Sequence, residues 1–187
     1  MIRLVILGSF YRGYCVLDEF LSRGPSAGIQ VVGVATDDPT QTFISKEKRL
    51  WQYPHELAEE VMVEQLAHKH GLPVYKGRVK TEAFYDCYES VWRPDICLSA
   101  TFGQRIDQRL FSFPRLGFFN LHPCIADGWP SRYAGPNPFQ GLKDDGLSHT
   151  QVAFHHVDDG FDSGTLVAMS ERIGFPPNAS VIDLHKM

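Results

Sequence analysis

The chain has 187 residues, enough for one domain with a sizeable core, and its 43% hydrophobic and 21% charged residues are typical of globular proteins. A formal net charge of −4 gives no support to a general nucleic-acid-binding role, although it leaves a local basic patch open. No segment approaches the roughly 18 apolar residues that a membrane-spanning helix needs, and MIRLVILGSF lacks the basic region and cleavage site of a signal peptide.

The first half of the chain alternates between predicted strands and helices. Residues 2–9 are a short apolar run, residues 11–23 follow with a helical pattern, and residues 28–38 are a second, β-branched run. Residues 39–53, with a short basic cluster at 46–49, lack periodicity and are predicted to be a solvated loop. The remaining predicted elements of this half are a helix over 55–71, a strand over 73–75, a helix near 81–91 and a strand over 94–102.

The helix over 55–71 has the clearest pattern of these elements. Its predicted apolar stripe consists of Leu57, Ala58, Val61, Met62 and Leu66, and a glycine and a proline end it. The regular alternation of strand and helix predicts an α/β fold with a mostly parallel sheet and helices on both faces. In such sheets ligands bind beyond the carboxyl ends of the strands.

The second half of the chain changes character. Strands are predicted over residues 116–122, 148–159 and 165–173, and a short helix over 135–142. The turn after the first strand, GSFYRG, matches neither the dinucleotide-binding nor the P-loop motif. Its backbone amides could meet an anionic group at a helix start, or the segment could be a plain tight turn. The four cysteines, Cys15, Cys87, Cys97 and Cys124, form no CxxC pair, which favours reduced thiols in a cytoplasmic protein.

Asn120 and His122 are the most informative polar pair. Residues i and i+2 of a strand point to the same face, so these side chains should lie together, while Pro123 is predicted to end the strand. The pair would then stand at a carboxyl end of the sheet, where a ligand site is expected. A capping asparagine and a hydrogen-bonded core histidine explain the same pattern equally well. Cys124 is interpreted as a small turn residue rather than a nucleophile.

The segment HHVDDGFDSG places three acids among glycines after a predicted strand. A calcium or magnesium loop is disfavoured because the acids do not follow the EF-hand spacing. His155 and His156 are adjacent, so they should face opposite sides of a strand and cannot share one ion easily. The acids form either a solvated turn or a loop from which one carboxylate reaches His122.

Together, N-x-H-P at a strand end, the segment SRYAGPNPFQGL and D-x-G after a later strand resemble the formyltransferase family, and the order of VGVATDDP, HKHGLPVY and PDICLSATFGQRI fits it as well. This resemblance, which covers most of the chain, implies a Rossmann-like fold and a catalytic triad of Asn120, His122 and Asp162. It also implies 10-formyltetrahydrofolate as formyl donor and no metal. The pterin ring would be held by two loops, formed by Phe102, Gly103, Gln104, Arg105 and Ile106 and by Val157, Asp158, Asp159 and Gly160.

The resemblance has two departures. The loop CIADGWPSRYAG is longer than its family counterpart and has Tyr133-Ala134-Gly135 where Arg-Gly is usual, on the side that receives the acceptor. The chain also stops at SVIDLHKM, where family members continue, so residues 1–187 are interpreted as a single formyltransferase catalytic domain, minimal or truncated at its C-terminus. The residues predicted to contact the acceptor are Ser9, Phe10, Tyr11, Arg12 and Tyr133.

The chemistry of formyl transfer suggests a role for each triad member. Asn120 is predicted to donate a hydrogen bond to the developing oxyanion, and His122 to transfer a proton. Asp162 should orient the imidazole and raise its pKa. A water or His122 would take the proton that the amine loses.

A nucleotide-linked amino sugar is the expected acceptor, by elimination. The alternatives are formylation of methionyl-tRNA or glycinamide ribonucleotide, a formyltetrahydrofolate hydrolase, and a non-catalytic folate- or nucleotide-binding domain. A small-molecule amine partner is expected, with neither membrane nor nucleic acid, and a homodimer is left open.

Overall fold

The computed structural model describes residues 1–41, 54–125, 128–134 and 138–187, apart from the side chains of Cys124 and Ile125. Within these residues the strands form one sheet in the order β3-β2-β1-β4-β5-β6-β7, and β8 pairs with β6 beside it. The strands are β1 (Ile2–Gly8), β2 (Ile29–Thr36), β3 (Val74–Lys76), β4 (Ile96–Ala100), β5 (Phe118–Ile125), β6 (His149–His156), β7 (Leu166–Met169) and β8 (Ile173–Gly174).

Among the described residues, four helices connect the parallel strands, one precedes β6 and one follows β8. They are α1 (Phe10–Arg23), α2 (Met62–Lys69), α3 (Glu82–Asp86), α4 (Gln108–Ser112), α5 (Pro138–Asp144) and α6 (Val181–His185), with 3₁₀ turns at Pro25–Ala27 and Leu57–Val61 and a π-helical stretch at Cys87–Trp92. Within the described ranges, no helix is both long and apolar enough to cross a bilayer.

The sheet changes direction at β5. Strands β3, β2, β1, β4 and β5 pair in parallel, whereas β6 is antiparallel to β5, β7 and β8. The prediction of a mostly parallel α/β sheet is confirmed. Because the amino-terminal side of an antiparallel strand lies beside the carboxyl end of its neighbour, the turn that follows β6 lies at the amino-terminal end of β5 rather than beyond its tip.

Both faces of the sheet are covered by apolar side chains. Leu4 and Ile6 of β1 pack with Leu17 of α1 and with α2 on one face. Val5 and Leu7 alternate to the other face, where they pack with the aromatic residues Phe84, Tyr85, Tyr88 and Trp92. Burial of two faces explains why the parallel strands are continuous apolar runs rather than alternating ones.

The prediction that Pro123 ends its strand is wrong. Strand β5 continues to Ile125, and its pairing with β6 shifts register between His122 and Ile125. A proline is tolerated at such an irregularity because no ladder N–H is required there. The Pro123 carbonyl oxygen accepts a hydrogen bond from Thr150 Oγ1 at 2.8 Å, which ties the irregular segment to β6.

The predicted helix over 55–71 is wrong in its first turns. Residues Leu57–Val61 wind as a 3₁₀ helix, and Leu57 is 82% exposed. Glu59 is the residue turned inward there, 4% exposed, because its carboxylate accepts hydrogen bonds from the backbone amides of Tyr11 and Glu56. The apolar face buried by α2 is formed by Val63, Leu66 and Ala67, of which Leu66 belongs to the predicted stripe.

Three sequence-based predictions fall on residues outside this description. The loop and basic cluster over 39–53 lie mostly in the undescribed residues 42–53, and the predicted helix start at 135–137 and the Cys124 side chain are likewise outside it.

Candidate active site

The sheet register brings three polar side chains together. Asn120 of β5 lies directly opposite His155 of β6, and His122 lies opposite Ala153. Residues two apart on a strand share a face, and directly opposed residues of antiparallel strands are side-chain neighbours. Asn120, His122 and His155 therefore form one polar cluster, with the small Ala153 opposite His122.

Asp162 completes the cluster from the turn after β6. Its Oδ1 accepts a hydrogen bond from Asn120 Nδ2 at 3.0 Å, and its Oδ2 lies 3.4 Å from His122 Nδ1. The residue has a φ of 49°, a conformation that aspartate tolerates better than most residues. Gly164 lets this turn close, since a Cβ there would lie 1.9 Å from the His156 carbonyl oxygen. Asp162 therefore contacts both Asn120 and His122, the two residues singled out with it from the sequence.

His122 is buried, and burial lowers its pKa below the ordinary value even though the nearby Asp162 carboxylate acts in the opposite direction. The prediction from sequence was a raised pKa for His122, because it took account of the Asp162 carboxylate but not of the burial of the imidazole ring. A lowered pKa makes the neutral imidazole the dominant form near neutral pH.

The two nitrogens of the His122 ring have different surroundings. Nδ1 faces Asp162, which favours the tautomer that carries its proton there. Nε2 is buried and makes no hydrogen bond of good geometry to the described residues, although a main-chain group of Tyr133 lies close enough to the ring to act on its pKa in the raising direction. An unpartnered basic nitrogen in a buried position is costly unless something else binds it. The arrangement suits an imidazole that accepts a proton from a bound reactant.

Asn120 differs from its predicted role in one respect. Its Nδ2 atom donates to Asp162 Oδ1 and lies 3.3 Å from His155 Nε2. The amide carries only two hydrogens, so both are directed at protein partners. In this arrangement neither hydrogen points at an oxyanion, contrary to the expectation from sequence.

A cavity of about 110 Å³ opens at the cluster. Two loops, one after β4 and one after β6, supply much of its wall, and Arg105 joins these loops by donating to the Asp159 carbonyl oxygen. Of the nine residues predicted to hold the donor, the seven that line the cavity are Phe102, Gln104, Arg105, Ile106, Val157, Asp158 and Gly160. Gly103 and Asp159 shape the loops through their main chains.

Residues 3–183 match the family model described as formyl transferase. The chain belongs to the formyl transferase family. Methionyl-tRNA formyltransferase of Chloroflexus aggregans is 29% identical over 177 residues, covering 95% of this chain and 51% of that protein. The enzyme of the same name from Kosmotoga olearia is 32% identical over 113 residues, covering 59% of this chain and 34% of that protein.

Solved structures show the same fold at lower identity. Glycinamide ribonucleotide transformylase 1 from Symbiobacterium toebii aligns with a TM-score of 0.72 at 15% identity, over 100% of this chain and 79% of that one. A formyltetrahydrofolate deformylase from Pseudomonas putida aligns with a TM-score of 0.62 at 18% identity, over 98% and 59%. The chain spans about half or less of the curated relatives named above.

A second polar network of this formyl transferase family member lies around Asp37, a residue that the sequence did not single out. Asp37 is 8% exposed, and its Oδ2 accepts hydrogen bonds from Ser9 Oγ at 2.9 Å and from the Gly103 amide at 2.6 Å. Its Oδ1 accepts from Gln104 Nε2 at 3.2 Å. Burial raises the pKa of the Asp37 carboxyl, and these donors oppose that rise. The only available signal was an aspartate at the carboxyl end of a predicted strand.

The five residues predicted to contact the acceptor lie outside the lining of the triad cavity. Ser9 is committed to Asp37, and the Phe10 ring stacks on His55 with 4.0 Å between ring centroids. Tyr133 is buried, and its hydroxyl donates to Asp145 at 2.6 Å. The glycines of GSFYRG allow α1 to approach β1, since a Cβ on Gly13 would lie 2.7 Å from the Gly8 backbone. These contacts favour the tight-turn interpretation.

Tyr11 and Arg12 line a second cavity of about 190 Å³, whose walls share Thr101, Leu121 and Pro123 with the first. Most of its remaining lining is apolar, from Val16, Val152, Ile173, Phe175 and Met187 among others. The Arg12 guanidinium donates to the carbonyl oxygens of Leu184 and His185 at 2.9 and 2.8 Å. These bonds weaken the hypothesis that Arg12 holds a diphosphate.

The described side chains were also considered as possible metal ligands. In the described ranges no group of three histidine, cysteine or acidic side chains is arranged to hold an ion. His155 and His156 face opposite sides of β6, as predicted: His155 is 2% exposed in the polar cluster, whereas the exposed His156 packs its ring against Phe119.

Proposed function

We propose that the chain is the catalytic part of an N-formyltransferase that moves a formyl group from 10-formyltetrahydrofolate to a primary amine. The observation that carries this proposal is the contact of Asp162 with both Asn120 and His122 at a cavity, where the buried His122 Nε2 has no hydrogen-bond partner among the described residues. Membership of the formyl transferase family supports the same reaction.

His122 has the central role in the proposed mechanism. The attacking amine must be neutral, and it must lose a proton once its nitrogen has bonded to carbon. A neutral His122 with a lowered pKa accepts that proton at Nε2. Asp162, beside Nδ1, stabilises the imidazolium that results. The same imidazolium then stabilises negative charge on the formyl oxygen and returns the proton to the leaving nitrogen.

The residues around the cavity fit the donor. Phe102, Ile106 and Val157 supply apolar wall on which a flat ring can pack, while Gln104, Arg105 and Asp158 supply polar groups at its edges. When bound, the donor supplies the electrophilic formyl carbon and a nitrogen leaving group. Arg105 links the two loops, so we expect it to keep the walls at a fixed separation.

The acceptor is proposed to be a primary amine that enters beside Tyr11 and Arg12, because their cavity adjoins the triad through Leu121 and Pro123. A nucleotide-linked amino sugar stays a prediction, and the engagement of Arg12 with main-chain carbonyls gives it no added support. Relatives carry the name methionyl-tRNA formyltransferase, so a tRNA-borne amine belongs among the acceptors to be tested.

The proposal is tested by incubating the protein with 10-formyltetrahydrofolate and a panel of amines, with His122→Ala as the matched inactive control. The panel contains amino-sugar nucleotides, glycinamide ribonucleotide and methionyl-tRNA, and N-formyl products are detected by mass spectrometry. Formylation of one amine, lost in His122→Ala, is the expected result. Formate release without any acceptor would identify a hydrolase, and donor binding without turnover would identify a binding domain. Either result would overturn the proposal.

A further inference from the structure

His155 is a buried histidine that the proposed mechanism does not use. It is 2% exposed and lies between β5 and the Trp129 ring, whose centroid is 4.5 Å from its own. Trp129 is itself fixed, because its Nε1 donates to the Gly164 carbonyl oxygen at 2.9 Å. The His155 ring is therefore held on one side by packing and on the other by Asn120.

The hydrogen bonds of His155 determine which of its nitrogens carries the proton. Nδ1 lies 2.8 Å from the His156 carbonyl oxygen. A carbonyl oxygen can only accept, so Nδ1 must be the donor. In the neutral ring Nε2 is then an acceptor, and it receives a hydrogen from Asn120 Nδ2 at 3.3 Å.

This tautomer also determines the orientation of the Asn120 amide. Rotating that amide by 180° would place Asn120 Oδ1 against the Asp162 carboxylate and against the lone pair of His155 Nε2. All three of these atoms are hydrogen-bond acceptors, so the rotated amide would make neither hydrogen bond. In the observed orientation Nδ2 donates to both. Asn120 Oδ1 then has no hydrogen-bond partner among the described residues, and Asn120 lines the triad cavity.

We propose that His155 is a positioning residue that holds the Asn120 amide with its oxygen toward the cavity, where that oxygen accepts an N–H of the attacking amine. Such a bond directs the amine lone pair at the formyl carbon. The inference rests on the proposed formyl transfer. It differs from the oxyanion-donor role expected from sequence, because both amide hydrogens are already bonded within the protein.

Two substitutions separate positioning from packing. His155→Phe retains an aromatic ring against Trp129 but removes the acceptor, whereas His155→Gln retains an acceptor near the place of Nε2. We expect His155→Phe to lower kcat by about 10- to 100-fold, since small losses of reactant orientation have effects of this size. We expect an unchanged KM for 10-formyltetrahydrofolate and substantial recovery of kcat in His155→Gln.

The opposite result is equally well defined. If Asn120 donates to the oxyanion, then removing His155 frees one of its hydrogens, and kcat in His155→Phe should stay unchanged or rise. That result would overturn the inference. Equal impairment of His155→Phe and His155→Gln would overturn it as well, because a purely structural role of the ring does not depend on the acceptor.

A measurement without turnover tests the positioning itself. The chain has three asparagines, at positions 120, 137 and 178, so ¹⁵N-asparagine labelling gives a simple side-chain amide spectrum, in which Asn120→Asp identifies the Asn120 pair. Both Asn120 amide hydrogens should be protected from exchange in the unaltered protein and in His155→Gln, and one should lose protection in His155→Phe. Unchanged protection in His155→Phe would contradict the inference. Absence of formyl transfer by the unaltered protein would instead refute the proposed function.

Discussion

Two buried polar networks lie along the sheet, and they differ in how completely their hydrogen bonds are made. In the network of Asp37, both carboxylate oxygens accept from protein donors, and Gln104 is bonded in turn to Gly77 and Val79. In the network of Asp162, the carboxylate bonds Asn120, but His122 Nε2 has no partner among the described residues. We call the first the closed network and the second the open network.

The difference separates a scaffold from a site. A buried polar group without a partner costs roughly 1–3 kcal/mol, so a protein retains one where a ligand or reaction makes use of it. The closed network joins the ends of β1 and β2 to the loop after β4, and so shapes one wall of the cavity. The open network presents its remaining lone pairs to the reactants. Substitutions should therefore affect catalysis in the open network and stability in the closed one.

The largest effect is expected from His122→Ala in the open network. Loss of the proton acceptor should lower kcat by about 10³-fold, within the range for general acid–base catalysis. The free energy of unfolding should fall by less than about 2 kcal/mol, because one nitrogen of the ring has no hydrogen-bond partner to lose among the described residues. Formylation kinetics and urea unfolding measure the two effects. His68→Ala, at an exposed position on α2, is the matched control. A variant that keeps near-normal turnover would remove the basis for calling this network catalytic.

Asp37→Asn tests the closed network. The new amide nitrogen must face a donor, either the Gly103 amide or the Gln104 side chain, so we expect a loss of about 2 kcal/mol in the free energy of unfolding. Because Gln104 lines the donor cavity, the KM for 10-formyltetrahydrofolate should rise while kcat changes little. Unchanged stability with a large fall in kcat would contradict the distinction between the networks.

Acid should act in opposite directions on two sets of buried groups, the histidines His122 and His185 on one side and the Asp37 carboxyl on the other. Burial lowers the pKa of His122, and that of His185 to about 4, so the unfolded chain binds more protons than the folded one as pH falls below 6.5. His185 alone should remove about 2 kcal/mol of stability between pH 7 and pH 5. Asp37 has a raised pKa, so its protonation favours the folded state in acid.

The net pH effect is measured by urea unfolding between pH 7 and pH 5. His185→Phe, which keeps an aromatic ring beside Phe139, should flatten the loss of stability, whereas Asp37→Asn should steepen it. A His185→Phe profile that parallels the unaltered protein would show that another group carries the pH dependence.

The triad residues of the open network could be predicted from the sequence, but the pKa of His122 could not. The i, i+2 spacing predicts that Asn120 and His122 share a face, and the resemblance supplies Asp162. His155 was considered only as a metal ligand, because the register that sets it opposite Asn120 depends on how β5 and β6 pair. The lowered pKa of His122 depends on burial, which composition does not show. Asp37 was missed because its three donors come from distant segments, at Ser9, Gly103 and Gln104.

Local pattern also failed where tertiary contacts override it. Leu57 belongs to a good helical stripe in the sequence, yet it is 82% exposed because Glu59 turns inward to meet the Tyr11 amide. Pro123 is typical of a strand end, but β5 continues through it at a register shift in the pairing with β6. In both cases a specific hydrogen bond or register shift, invisible in a single sequence, decides the outcome.

The smallest effect is expected from Ser9→Ala, which decides where Ser9 belongs. In the closed network its hydroxyl donates to Asp37 and accepts from the Asp37 amide, so its loss should reduce the free energy of unfolding by about 1 kcal/mol. Ser26→Ala, at an exposed position with one local bond, should change stability by less than about 0.5 kcal/mol. The acceptor KM should not change in Ser9→Ala, because the hydroxyl is occupied within the protein. A raised acceptor KM with unaltered stability would instead support the substrate contact predicted from sequence, and would show that the closed network opens when the acceptor binds.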